Sequence, residues 1–101
     1  MSDFKLERKP IHPGEILKQE YLDEMGITQQ QLSRDLNVTY AAVNEIIHGK
    51  RGISTEMAYK LGKFFNISPR FWINLQTSYE MKLFEQNSYN KLEMVKAYSV
   101  V

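Results

Sequence analysis

Cysteine is absent from the 101-residue sequence, which excludes disulfide bonds and thiolate metal sites and is typical of proteins from reducing compartments. No apolar run approaches the roughly 20 residues that a membrane-spanning helix needs. The N-terminal stretch MSDFKLERKP also lacks the apolar segment of a secretory signal. From these absences we expect a cytoplasmic protein with no membrane association.

Net charge is small as well, at +1, so the whole molecule is not a polycation that composition alone would assign to nucleic acid. The charges are unevenly distributed, however. Residues 38 to 70 carry five cations and two anions, whereas residues 15 to 24 carry four anions and one cation. This asymmetry predicts one basic side and one acidic side.

Helix signals dominate the sequence, whose length and 43% hydrophobic content suit one domain with a single core. The first predicted helix begins at Pro13, with Glu15 in its first turn, and stops at Gly26. Its apolar residues are spaced by four: Leu17, Tyr21 and Met25. The caps of the next four helices are Thr28, Thr39, Ser54 and Ser68, and Asn37 and Asn66 end the second and fourth.

Apolar stripes support the last two of these helices. The fourth helix carries Met57, Ala58, Leu61, Phe64 and Phe65, and the fifth carries Trp72, Leu75, Tyr79 and Leu83. No convincing strand precedes residue 97. The sequence therefore predicts an all-α, compact five-helix domain over residues 12–86, with an N-terminal arm (1–11) and a C-terminal extension (87–101). That extension could be a short helix carrying Leu92 and Val95, or an extended tail ending in two valines.

Only Asn37, Val38 and Thr39 separate the second and third helices, a spacing typical of a steep turn between two short helices. In a helix-turn-helix unit the second helix enters the DNA major groove and presents its N-terminal residues to the bases. The third helix of this chain has a buried stripe of Val43, Ile46 and Ile47. We therefore predict that its other face contacts double-stranded DNA.

The residues of that face fit a groove about 12 Å wide. Thr39 caps the helix, and Ala41 and Ala42 would permit close approach and offer methyl groups to thymine. We predict that Tyr40, Asn44 and Glu45 read bases, because an asparagine can pair with adenine and a glutamate can accept from cytosine. Gln29, in the first turn of the second helix, could contact either a phosphate or a nearby base edge. The residues predicted to contact phosphates, which mostly position rather than specify, are His48, Lys50 and Arg51.

Each of these residues also has an ordinary structural interpretation. Alanines are good helix formers, Asn44 and Glu45 could be surface residues, and Lys50 and Arg51 could be solvated loop charges. A protein-binding module is one rival function, in which the surface of the third helix binds a protein instead of DNA. Phe71 and Trp72 could mark such an interface, although aromatic residues at helical spacing more often pack in the core. Catalysis is not expected, because His12 with Glu15 is better explained by helix initiation and His48 lacks a carboxylate or second histidine at ligand spacing. We predict no cofactor and no metal.

Motifs over residues 11 to about 84 narrow the assignment. The pattern T-Q-x-x-L, then a polar helix ending in glycine and cations, resembles Xre-type, lambda-repressor-like helix-turn-helix domains. Its matching residues are Thr28, Gln29, Leu32, Val43, Ile46, Gly49, Lys50 and Arg51. HPGEIL at residues 12–17 and FWINLQTSYEM at residues 71–81 are similar to the HigA family of antitoxins. Ser33 and Asn37 depart from the usual alanine and glycine but are small enough for their sites.

The resemblance implies an antitoxin that neutralises a HigB-type mRNA endonuclease and represses its own operon at operator DNA. A stand-alone Xre-type repressor without a toxin is the alternative, which genome context would distinguish. A homodimer is expected, because one small module contacts too few bases for useful specificity. The candidate residues for its shared surface are Leu83, Phe84, Leu92 and Val95.

Overall fold

Helices make up all the regular secondary structure of residues 9–99, the part of the chain that the computed structural model describes. Helix α1 is continuous and has three consecutive stretches, Pro13–Ile16, Leu17–Leu22 and Asp23–Met25, the middle one π-helical. It is followed by α2 (Gln29–Leu36), α3 (Tyr40–Ile47), α4 (Thr55–Phe65), α5 (Pro69–Asn87) and a 3₁₀ helix (Tyr89–Met94). The predicted all-α, five-helix fold is confirmed.

The predicted helix caps are all present. Backbone N–H groups of the first turns donate to the hydroxyls of Thr28, Thr39, Ser54 and Ser68 over 3.0–3.1 Å. Asn37 and Asn66 end α2 and α4 in the left-handed conformation, with φ of 56° and 58°. Asparagine tolerates this conformation better than most residues. The helix boundaries therefore follow from local interactions written in the sequence.

Helix α1 departs from the predicted spacing of its apolar residues. Leu17 is buried and Tyr21 packs against the core, but Met25 is 56% exposed and Leu22 is buried in its place. The π-helical turn explains the change, because it closes hydrogen bonds between residues five apart and so brings Leu22 beneath Leu17. An α-helical spacing of four was the wrong period for this segment.

One apolar core joins the five helices. Trp72 is fully buried near its centre, where its ring lies 5.2 Å from that of Tyr21 and 6.1 Å from that of Phe65. Phe71 remains partly exposed beside it. Trp72 is thus a core residue rather than an interface residue. The other buried apolar residues of this core are Leu17, Leu22, Leu32, Leu36, Val43, Ile46, Ile53, Met57, Ala58 and Leu61.

Burial declines along α5 and the segment after it. Leu75, Tyr79 and Leu83 are half-buried, and every described residue beyond Leu83 except Ser88 is exposed. The 3₁₀ helix contains Leu92 but ends before Val95, whose backbone is extended, so the predicted short helix carries only the first of its two apolar residues. The boundaries at residues 11 and 87 stay predictions, and residues 1–8 of the arm and the two terminal valines lie outside the described residues.

Candidate nucleic-acid interface

The apolar face of helix α3 packs against the rest of the domain. Val43 and Ile46 are buried, and Ile47 and the turn residue Val38 are half-buried against the same core. The start of α1 packs on its other end, where Gly14 meets the backbone of Ile46 so closely that a Cβ on this glycine would lie 1.9 Å from the carbonyl oxygen. These contacts determine which face of α3 is turned outward.

That outward face begins at the cap. Thr39, Tyr40 and Ala41 are exposed, Tyr40 to 49%, as predicted for residues that approach a duplex. The prediction that Ala42 shares this face is wrong, since Ala42 is only 7% exposed. Ala42 lies one residue before Val43 and four before Ile46, so it extends the buried stripe and lines a depression with Val38 and Met57. Its methyl group therefore packs inside the protein.

Two predicted site residues from different helices are joined by a side-chain hydrogen bond. The Asn44 Nδ2 donates to the Gln29 Oε1 over 3.0 Å, and both residues are half-buried. One ring nitrogen of His48, Nδ1, lies 2.9 Å from the Asn44 carbonyl oxygen. The bond between Asn44 and Gln29 orients the Asn44 amide, which a base-reading side chain needs.

Glu45 and Arg51 form an ion pair on the same side of the molecule. The Nε and Nη2 atoms of Arg51 both donate to the Oε1 of Glu45, at 2.9 and 2.8 Å. The Arg51 side chain is 52% exposed and that of Glu45 is 41% exposed. Ion pairs this exposed contribute at most about 1 kcal/mol to the free energy of unfolding. A phosphate could therefore replace Glu45 as the partner of Arg51 at little cost, and Lys50 is exposed beside them.

Lys60 in α4 also borders this region, although sequence reasoning did not single it out. Its Nζ lies 3.5 Å from the carbonyl oxygen of the turn residue Asn37 and 3.3 Å from the carboxylate of Glu56. The excess of cations between residues 38 and 70 was the signal that could have indicated it. Basic groups therefore flank the turn as well as the C-terminal end of α3.

Three further features of the described part of the chain are the grouping of its metal-binding side chains, the surroundings of His12 and the apolar content of its helices. Residues 9–99 contain no group of three or more His, Asp or Glu side chains able to hold a metal ion. His12 caps α1, accepting a hydrogen bond of 2.9 Å from the Gly14 N–H at its Nδ1. Within the same range, no helix has the length and apolar content to cross a membrane.

Comparisons with known proteins agree with this geometry. A family model described as helix-turn-helix matches residues 18–72, which is more than half of the chain. The virulence-associated protein I of Dichelobacter nodosus is 41% identical over 83 residues, which cover 82% of this chain and 77% of the relative.

Two solved structures share both sequence and fold with the chain. One is the Pseudomonas aeruginosa antitoxin HigA with the higBA promoter, at 40% identity and a TM-score of 0.81, covering 89% of this chain and 99% of the other. The second is an addiction module antidote protein of a HigA family from Coxiella burnetii, at 38% identity and a TM-score of 0.83, covering 90% and 100%. The chain therefore belongs to the helix-turn-helix family and, within it, to the group of the HigA antitoxins.

Proposed function

We propose that this protein is an antitoxin that binds operator DNA through α3, represses its own operon and neutralises a HigB-type mRNA endonuclease. The observation that carries the DNA-binding part is the short α2–α3 turn with α3 seated by Val43 and Ile46, because it turns a polar, capped face outward. The structure of the Pseudomonas aeruginosa antitoxin HigA with the higBA promoter supports the same role.

Within this proposal the residues divide by what they contact. Tyr40, Asn44 and Glu45 read base edges, and Thr39 and Ala41 allow the helix to approach them. Ala42 has no part in the interface, because it is buried. The phosphate contacts come from Gln29, His48, Lys50 and Arg51 and position α3 in the groove.

A homodimer completes the proposed function, since two half-sites about 34 Å apart give a small domain enough bases to read. Leu83, Phe84, Leu92 and Val95 are the proposed shared surface. Phe84, Leu92 and Val95 are exposed large apolar side chains, and Leu83 is half-buried. A monomer by light scattering at micromolar concentration would contradict this part.

Two experiments test the proposal and separate it from the stand-alone repressor. Binding to the DNA upstream of its own gene should weaken steeply as salt rises. Each phosphate contact releases counterions on binding, and this release is less favourable at high salt concentration. Co-expression with a neighbouring toxin gene should restore growth. Salt-dependent binding without any rescue would leave a stand-alone repressor, and binding that ignores salt would contradict DNA as the partner.

Replacing Asn44 with alanine should relax the preference for one base pair, at a loss of about 1 to 3 kcal/mol of discrimination. The amide that Gln29 orients is removed, whereas the phosphate contacts of Lys50 and Arg51 stay. Affinities for the operator and for single-base variants of it, measured by fluorescence anisotropy, check this. Lys50→Ala is the control, expected to weaken all sequences alike. Equal losses on every sequence for Asn44→Ala would contradict a reading role.

Replacing Glu45 with glutamine should tighten binding to mixed-sequence DNA and steepen its salt dependence by up to about one unit of slope. The substitution removes the carboxylate that repels phosphate and holds Arg51. Glu24→Gln, the same charge change at an exposed site on α1, is the matched control. An equal gain from Glu24→Gln would assign the effect to net charge alone, and weaker binding by Glu45→Gln would contradict the assigned role.

A further inference from the structure

The loop that carries Lys50 and Arg51 begins with a tight closure of α3. Gly49 has a φ of 72°, which a glycine adopts without strain. Its N–H donates to the Ile46 carbonyl over 3.1 Å, and the Lys50 N–H donates to the Glu45 carbonyl over 2.8 Å. The loop therefore leaves α3 in a defined direction, but these bonds hold only its first two residues.

His12 supports the loop from the α1 side. Its ring is buried, and a Cβ on Gly49 would lie 3.8 Å from the ring carbons Cγ and Cδ2. The backbone of Arg51 lies near enough to the ring to raise the pKa of His12. Because Nδ1 already accepts from Gly14, the Nε2–H is the atom left to donate to that backbone.

The surroundings of His12 favour its neutral form. The Tyr79 ring of α5 meets the imidazole edge to face, with centroids 4.8 Å apart. Burial lowers the pKa of His12 below its ordinary value, and this outweighs the charge of Glu15 and the nearby backbone of Arg51, which both raise the pKa. The neutral ring can thus cap α1 with one nitrogen and hold the loop with the other.

Gln76 supports the other end of the loop from α5. Its Oε1 accepts from the Ile53 N–H over 2.8 Å, and its Nε2 donates to the Glu80 carboxylate over 2.8 Å. A Cβ on Gly52 would lie 2.8 Å from this Nε2, so the glycine leaves room for the amide. The Gln76 side chain therefore has both of its polar atoms satisfied while it holds Ile53.

We propose that His12 and Gln76 are positioning residues for the DNA-contacting loop. His12 holds the loop near Arg51 and Gln76 holds it at Ile53, so that Lys50 and Arg51 are already ordered when they meet the phosphates. This inference rests on the proposed DNA binding. The physical gain is conformational entropy, because a loop that is fixed before binding loses less freedom when it is bound. Neither residue needs to contact DNA to raise affinity.

Two variants of the full chain test whether His12 and Gln76 order the loop. His12→Asn keeps an oxygen that can cap α1 but removes the ring from the loop. Gln76→Met keeps the length of the side chain but removes its hydrogen bonds. We expect each variant to bind a pool of mixed-sequence duplexes about tenfold more weakly. The salt slope should stay unchanged, because the same phosphate contacts form once the loop is bound. Amide hydrogen exchange at Lys50 and Ile53 should become faster while α2 remains protected.

A swap provides the rescue. In the double variant Gln76→Glu with Glu80→Gln, the new carboxylate at position 76 can still accept from the Ile53 N–H, and the new amide at position 80 can donate to it. Net charge is unchanged. We expect this variant to recover most of the affinity that Gln76→Met loses, which a simple loss of packing would not allow.

A stability control and the wild type decide between outcomes. Phe64→Leu removes part of a half-buried side chain on α4. The comparison is made between Phe64→Leu and the two variants at the same loss of melting temperature. If Phe64→Leu weakens DNA binding as much as they do, the weaker binding follows from lost stability and the inference is overturned. Identical binding and unchanged exchange in both variants would also overturn it, with the proposed function intact. An unaltered chain without salt-dependent DNA binding would remove the proposed function and this inference together.

Discussion

Replacing Gly14 with alanine should lower the free energy of unfolding by about 3 kcal/mol or more, at the upper end of the range for overpacked sites. The added Cβ would lie 1.9 Å from the carbonyl oxygen of Ile46 and 2.7 Å from its carbonyl carbon. Both are backbone atoms of a buried residue, so no side chain can rotate away. Urea denaturation followed by circular dichroism measures the loss.

The same substitution should weaken DNA binding even where the protein remains folded, because the start of α1 can no longer press against the end of α3. Gly26→Asn is the control. Gly26 ends α1 at a φ of 68° with open space around it, and asparagine is the residue that best tolerates that conformation after glycine. A Gly14→Ala protein as stable as the wild type would show that α1 does not fix the position of α3.

Replacing Trp72 with alanine should destabilise the fold by about 3 to 5 kcal/mol, the usual range for removing a large buried aromatic residue. The indole is fully buried and touches the rings of Tyr21, Phe65 and Phe71. Denaturation with urea, fitted to a two-state transition, gives the difference in unfolding free energy.

Trp72→Phe is the informative companion variant. The Trp72 Nε1 is buried without a hydrogen-bond partner, and an unsatisfied buried donor typically costs about 1 to 3 kcal/mol. Phenylalanine keeps a ring in the core and removes that donor, so its loss of stability should be much smaller than that of alanine. Equal losses for the two variants would contradict the view that the indole N–H is an unsatisfied donor.

Features that depend on nearby residues were predictable from the sequence. The caps at Thr28 and Thr39 and the left-handed Asn37 were identified because each uses atoms within a few residues of itself. The buried Val43 and Ile46 followed from helical periodicity. These local signals also placed the short turn on which the DNA-binding hypothesis depends.

Features set by packing between helices were not predictable in the same way. Whether Ala42 faces outward depends on how α3 is rotated against Val38 and Met57, and an alanine fits either side of a helix. The π-helical turn that exposes Met25 has no marker in the sequence. His12 and Gln76 reach the loop after α3 from positions far away in the chain, so their contacts became visible only in the folded structure.

The Glu45–Arg51 pair lies between these two cases. The sequence showed the glutamate and the cation and predicted a DNA contact for each. It could not show that in the free protein the two charges bind one another across six residues. The pairing changes the expected behaviour of Arg51, which must leave a carboxylate before it meets a phosphate.

Dimethyl sulfate footprinting on the DNA upstream of the protein's own gene would test most directly whether the outward face of α3 enters the major groove. The reagent methylates guanine N7, which lies in the major groove, and adenine N3, which lies in the minor groove. We expect N7 to be protected in two patches about one helical turn apart while N3 stays reactive, and Asn44→Ala to weaken that protection. Protection of N3 alone, or binding that leaves every N7 reactive, would contradict the assignment.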